Sequence, residues 1–259
     1  LNFTSILHNQ INMSLVQPFL SRLSIGLILS TLTFFSLAQG QIAKPVFVDG
    51  QAQIVPEFSN TGEWIREHLW VETEFDSDRD GKRDRVHVDV TRQRQTAEVL
   101  KVPVIYESSP YFAGTGNGDV NWNVHQELGA EPPARTFHPN IRFEPNRTSI
   151  SGSLTRTWVP RGFAVVHSEA PGTGLSTGSA TVGGAPERLA PKAVIDWLNG
   201  RAKGFTTIDG TEEIKALWCT GKVGMTGTSY NGTIPIAAAT TGVKGLECII
   251  PVSPNTSYY

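Results

Sequence analysis

The sequence predicts an α/β protein built on a mostly parallel sheet with helices on both faces. From Phe163 onward, short apolar runs alternate with segments of helical composition, the pattern of strands joined by helical crossovers. One of those runs passes directly into the turn Gly227-Thr228-Ser229-Tyr230-Asn231-Gly232 and then into a helix of small residues. A length of 259 residues, 39% hydrophobic and 18% charged, suffices for one large domain of ordinary globular composition.

The net charge of -2 leaves no basic footprint, so nucleic acid is not an expected partner. The first 38 residues read as a leader. From Met13 it carries one basic residue, Arg22, and then the apolar run Ile25 to Leu37, which is short of the roughly 20 residues a bilayer span needs. Small residues Ser36 and Ala38 predict signal-peptide cleavage after Ala38. The expectation is a secreted or periplasmic protein with no stable membrane insertion after cleavage.

Residues 39–259 then carry the fold. His68 to Phe75 and Arg85 to Thr91 read as strands, the second alternating Val86, Val88 and Val90 against His87, Asp89 and Thr91 as a half-buried antiparallel strand does. Between them, Asp76, Asp78, Asp80 and Gly81 copy the start of a calcium loop, and Asp84 could complete a small site. His87 stands where an EF-hand needs its twelfth-position Glu, so a polar hairpin turn is the preferred reading and no cofactor is expected.

Val102 to Tyr106 is a short strand, followed by an aperiodic excursion over about 112–157, a length typical of functional loops. Its Trp122, His125 and His138 either shape a pocket or pack the excursion. Phe163 to His167 reads as a fully buried parallel strand. Gly172 to Gly178 is a loop whose glycine spacing does not fit a dinucleotide fingerprint. Leu189 to Leu198 reads as an amphipathic helix stopped by Gly200 or Gly204. Lys222 to Thr226 is a strand, Thr233 to Thr241 a helix, and Leu246 to Val252 the next buried strand. The two cysteines, Cys219 and Cys248, fall at the starts of adjacent strands, either bridged or as buried thiols.

The chemistry centres on Ser229. A serine hydroxyl attacks only when a base takes its proton and donors hold the oxyanion that forms. A strand-serine-helix elbow of the G-x-S-x-G class presents such a serine, although here the second glycine falls one place later, at Gly232. The backbone N–H of Tyr230 is the expected oxyanion donor, aided by the positive end of the helix it opens. Ser176 is a rival serine without the strand-helix setting.

Three stretches resemble one family closely: Ala193-Val194-Ile195-Asp196-Trp197-Leu198-Asn199-Gly200-Arg201-Ala202, Gly221 to Tyr230, and Ala238 to Glu247. They are similar to bacterial Xaa-Pro dipeptidyl-peptidases, which stand with cocaine esterase and α-amino-acid ester hydrolases among serine hydrolases. The resemblance is strongest from about Arg161 to Tyr259 and reaches weakly back to about Val71. It implies an α/β-hydrolase fold, incomplete at the C-terminus, with Ser229 as nucleophile. Pro110-Tyr111 matches the family's Pro-Tyr motif, implying that the Tyr111 hydroxyl is the second oxyanion donor. Where the family carries an acidic residue and an arginine before its Gly-x-Gly loop, this sequence has Glu169-Ala170-Pro171.

The implied substrate is a peptide with proline at its second position, cleaved through an acyl-enzyme. The alternatives are an esterase or acylase of the same family, or a non-catalytic module. The fold's triad order is Ser, then Asp or Glu, then His, and no His or Asp follows Ser229. The acid and base are therefore expected beyond Tyr259, with this stretch alone inactive.

Overall fold

The computed structural model describes residues 43–112, 129 and 149–255. The leader and most of the 112–157 excursion, with Trp122, His125 and His138, lie outside the described residues. Strands β1 (Phe47–Val48) and β2 (Gln51–Ala52) form a small antiparallel hairpin. Eight further strands make one sheet: β3 (Ile65–Glu72), β4 (Arg85–Arg92), β5 (Val102–Ser109), β6 (Ala164–Glu169), β7 (Gly204–Phe205), β8 (Glu213–Ile214), β9 (Cys219–Thr228) and β10 (Leu246–Val252). Their order is β10-β9-β5-β6-β4-β3-β7-β8. Pairing is parallel from β10 through β9 and β5 to β6, and antiparallel from β6 onward. This is the α/β-hydrolase arrangement, with the parallel half carrying the elbow.

Side chains alternate across strands, so each sheet face has its own cover. Val104, Tyr106, Val166 and Val88 face a core shared with α2 (Ala185–Leu198) and α3 (Tyr230–Ala239), through Val194, Ile195, Trp197, Ile234 and Ala238. Each fully buried aliphatic side chain there contributes roughly 1.5–3 kcal/mol. On the opposite face, Val165 and Ile105 meet Trp64, Val159 and the short helix α1 (Thr155–Trp158).

Several boundaries differ from the sequence expectation for identifiable reasons. Helix α2 starts at Ala185, four residues early, because Pro186 occupies its first turn, where a missing N–H costs nothing. It stops at Gly200, which at φ 72° donates its N–H to the Trp197 carbonyl. β4 is antiparallel as expected but buried on both faces rather than one, since residues 150 and 176 close over His87 and Asp89. Strands β5 and β6 run two or three residues further than their apolar cores, ending on polar residues that prove to be buried. Cys219 and Cys248 are both free thiols, with Cys219 buried and Cys248 exposed on β10. Cys248 aligns with Gly224, well along β9 from Cys219, so the two side chains cannot meet.

Candidate active site

β9 ends at Thr228 and α3 begins at Tyr230, leaving Ser229 alone to reverse the chain. Its backbone sits at φ 59°, ψ -123°, a region that costs a non-glycine residue about 1–3 kcal/mol. The surroundings hold it there. Ser229 N–H donates to the Val252 carbonyl of β10 at 2.9 Å, and its own carbonyl accepts from Gly232 and Thr233 N–H at 2.9 and 3.1 Å. Ser229 itself is exposed.

Both elbow glycines are required by close approach. A Cβ on Gly227 would lie 2.3 Å from the Asn231 carbonyl oxygen, and one on Gly232 would lie 2.8 Å from the carbonyl oxygens of Gly227 and Val252. Gly232 thus makes the tight helix-strand contact although it falls one place late. Asn231, in the place usually taken by glycine, turns its amide nitrogen to Glu107 Oε1 at 3.1 Å.

Tyr230 is buried, and its hydroxyl donates to Glu187 Oε2 in the first turn of α2. The Gly183 N–H reaches the same hydroxyl at 3.0 Å and the same carboxylate oxygen at 2.9 Å. Tyr230's ring is therefore anchored from below while its backbone N–H opens α3 beside Ser229. The Tyr111 ring meets that of Tyr230 edge-on, with centroids 6.0 Å apart, and Tyr111 N–H donates to Ser109 Oγ at 3.0 Å. The structure thus brings Ser229, Tyr230 and Tyr111 to one end of the sheet.

A polar row crosses the sheet next to this elbow. Register pairs His68 with Asp89, Asp89 with His167, and His167 with Glu107, so four strands contribute one side chain each to one face. His68 Nδ1 lies 2.6 Å from Asp89 Oδ1, and His87 Nδ1 lies 2.8 Å from Glu169 Oε2. His167 Nε2 meets Ser153 Oγ at 3.0 Å, and Ser153 donates to Glu107 Oε2 at 2.8 Å. Burial pushes the His167 imidazole below its usual value, against the opposing pull of Glu107 and Asp89, and so favours its neutral form. The three described histidines each have partners within this row: Asp89 for His68, Glu169 for His87 and Ser153 for His167.

Sequence reasoning missed Glu107, Glu187 and the polar row. The available signal was a carboxylate within two residues of an apolar strand, in Ile105-Tyr106-Glu107 and His167-Ser168-Glu169. Ser176 is buried, accepting from His87 N–H and donating to the Glu169 carbonyl, so it serves the loop rather than chemistry. In the aspartate loop, Asp76 accepts from Arg79 and Gly81 N–H, and Asp80 from Lys82 N–H. Oxygens of Asp76, Asp78 and Asp84 gather within 4.8 Å, while Asp80 stands outside the group. Asp84 holds Ser77, whose hydroxyl accepts from Ser179 N–H, tying this turn to the loop after β6.

Residues 80–259 match the model of the family described as X-Pro dipeptidyl-peptidase (S15 family). A protein of Rhodopirellula baltica, provisionally named Xaa-Pro dipeptidyl-peptidase, is 57% identical over 260 residues, covering 99% of this chain. The Xaa-Pro dipeptidyl-peptidase of Lactiplantibacillus plantarum is 37% identical over 250 residues, covering 87% of this chain. The chain spans 42% and 30% of the lengths of these two relatives. Among solved structures, an α-amino acid ester hydrolase aligns at 18% identity and a TM-score of 0.47, covering 84% of this chain and 30% of its own.

Proposed function

The chain belongs to the X-Pro dipeptidyl-peptidase (S15) family, and from that premise we propose that it carries the nucleophile and oxyanion donors of a serine exopeptidase releasing Xaa-Pro dipeptides from peptide N-termini. The observation that supports this most is the elbow: an exposed serine at φ 59° between a strand buried on one face and a helix, with glycines where backbones touch.

In this reading Ser229 Oγ attacks the carbonyl carbon of the substrate's second residue while its proton passes to a base supplied outside the described residues. The carbonyl oxygen becomes an oxyanion held by Tyr230 N–H and Tyr111 O–H. Collapse breaks the peptide bond, the amine leaves with a proton, and the dipeptide remains as an ester on Ser229. Water then attacks that ester, restoring the hydroxyl and freeing the dipeptide.

The full-length protein carrying this chain is the material for the test. A fluorophosphonate should label it at Ser229, and Ser229→Ala should abolish the label; labelling that survives the change overturns the assignment. Tyr111→Phe should slow acylation about 10²–10³-fold, as loss of one oxyanion donor does. Gly-Pro and Ala-Pro anilides should be turned over, whereas hydrolysis of simple aryl esters alone would exclude the peptidase reading.

A further inference from the structure

We infer that Glu107 is a positioning residue that fixes the elbow against the strand leading to Tyr111, and so sets the spacing of the two oxyanion donors. The inference rests on the proposed role of Ser229, Tyr230 and Tyr111. Two independent observations carry it.

The first is where the pairing of β5 with β9 stops. β5 and β9 pair from Val102 against Cys219, with a register shift before Val104, as far as Tyr106 against Met225. β5 nevertheless continues to Ser109 and β9 to Thr228. The last residues before Tyr111 pair only with β6 and those before Ser229 only with β10, so no backbone pairing ties these two strand ends to each other. Glu107 is the first residue past that point, and its Oε1 accepts from Asn231 Nδ2 across the gap at 3.1 Å.

The second is how Glu107 is itself held. Its Oε2 accepts from Ser153 Oγ at 2.8 Å, and Ser153 Oγ also meets the buried His167 Nε2 at 3.0 Å. Glu107 therefore links four elements: β5, β6, the segment before α1, and the first turn of α3. A carboxylate only accepts, so Asn231 must present its amide nitrogen, which removes the usual ambiguity of an Asn side chain. Asn231 directly follows Tyr230, and Tyr111 lies four residues after Glu107, just past the end of β5, braced by the bond from its N–H to Ser109 Oγ. A shift at this bond moves one oxyanion donor relative to the other. That geometry also explains why the glycine expected two residues after the nucleophile is an asparagine here.

The test uses the full-length protein and two readouts: the rate of fluorophosphonate labelling at Ser229 and the melting temperature. Glu107→Ala should slow labelling and kcat by about 10- to 100-fold, the cost of a misplacement near 1 Å, while KM stays within about twofold. Glu107→Gln keeps an acceptor for Asn231, and Ser153 can turn its hydroxyl to His167, so this variant should label at close to the parental rate. Asn231→Asp sets two carboxylates against each other and should label slowly. Adding Glu107→Gln to Asn231→Asp restores a donor facing an acceptor and should recover most of the rate. Recovery of that kind does not depend on Glu107→Ala folding. Slow labelling in the double variant, or parental labelling in Glu107→Ala, overturns the inference. Absence of Ser229 labelling in the parent would instead overturn the nucleophile assignment beneath it.

Discussion

At the scale of single residues, strain and burial concentrate around the elbow. Ser229 occupies a backbone region that side chains avoid, and three backbone hydrogen bonds from β10 and α3 hold it there. His167 shows the second kind of cost. It is buried among Glu107 and Asp89 with Ser153 as its partner, and its imidazole is held below the ordinary value of 6.5, burial being the largest cause. The folded state therefore binds that proton less readily than the unfolded chain. Stability from this source is complete above pH 6.5 and declines as pH falls through the unfolded value. Melting curves of the full-length protein should show a drop between neutral pH and pH values below 6 that is smaller in His167→Gln. Equal acid sensitivity in the two proteins would assign the effect to other groups.

At the scale of elements, the elbow works because two glycines let a strand and a helix touch. Gly227→Ala drives a methyl group to 2.3 Å from the Asn231 carbonyl oxygen, so the helix start must retreat. The expected cost is about 1–3 kcal/mol by urea unfolding, the range for overpacking. Since the retreating turn carries Tyr230, labelling at Ser229 should slow as well. Much of this was legible in the sequence: the run into Gly227-Thr228-Ser229 is the end of β9, and Leu246 to Val252 matches β10 at both ends. The burial expected of β10 fails, because among the described residues it is an edge strand, with Ile250 and Val252 exposed. Apolar periodicity and glycine spacing report local geometry, and the elbow is local. Glu107 was not legible, because its partners Asn231 and Ser153 lie far along the chain and no spacing rule connects them. The start of α2 was also misjudged, since the stretch through Pro186 reads as loop, whereas Pro186 lies in the helix's opening turn.

At the scale of the whole molecule, the described residues supply an eight-stranded sheet with its elbow, and the two relatives compared are more than twice as long. The expected leader gives a prediction at this scale. Expressed from Met13 in a host with a general export pathway, the mature protein should begin at Gln39. Intact mass or N-terminal sequencing checks this, and a product that keeps residues 13–38 refutes cleavage after Ala38.

The order of strands in the sheet also governs how the chain, made without its leader, folds as it leaves the ribosome. β3 and β4 are neighbours in sequence and can pair as soon as both emerge. β5 cannot, because its flanking partners are β6 and β9, and Val102 waits for Cys219. At ~5–20 residues per second, that wait is roughly 6 to 23 s of synthesis. Throughout it, the apolar strand Val102 to Tyr106 lacks one lateral partner, which makes it the natural segment for a chaperone to guard. Slowing translation between β6 and β9 should therefore lower the soluble yield, and extra holdase should restore it.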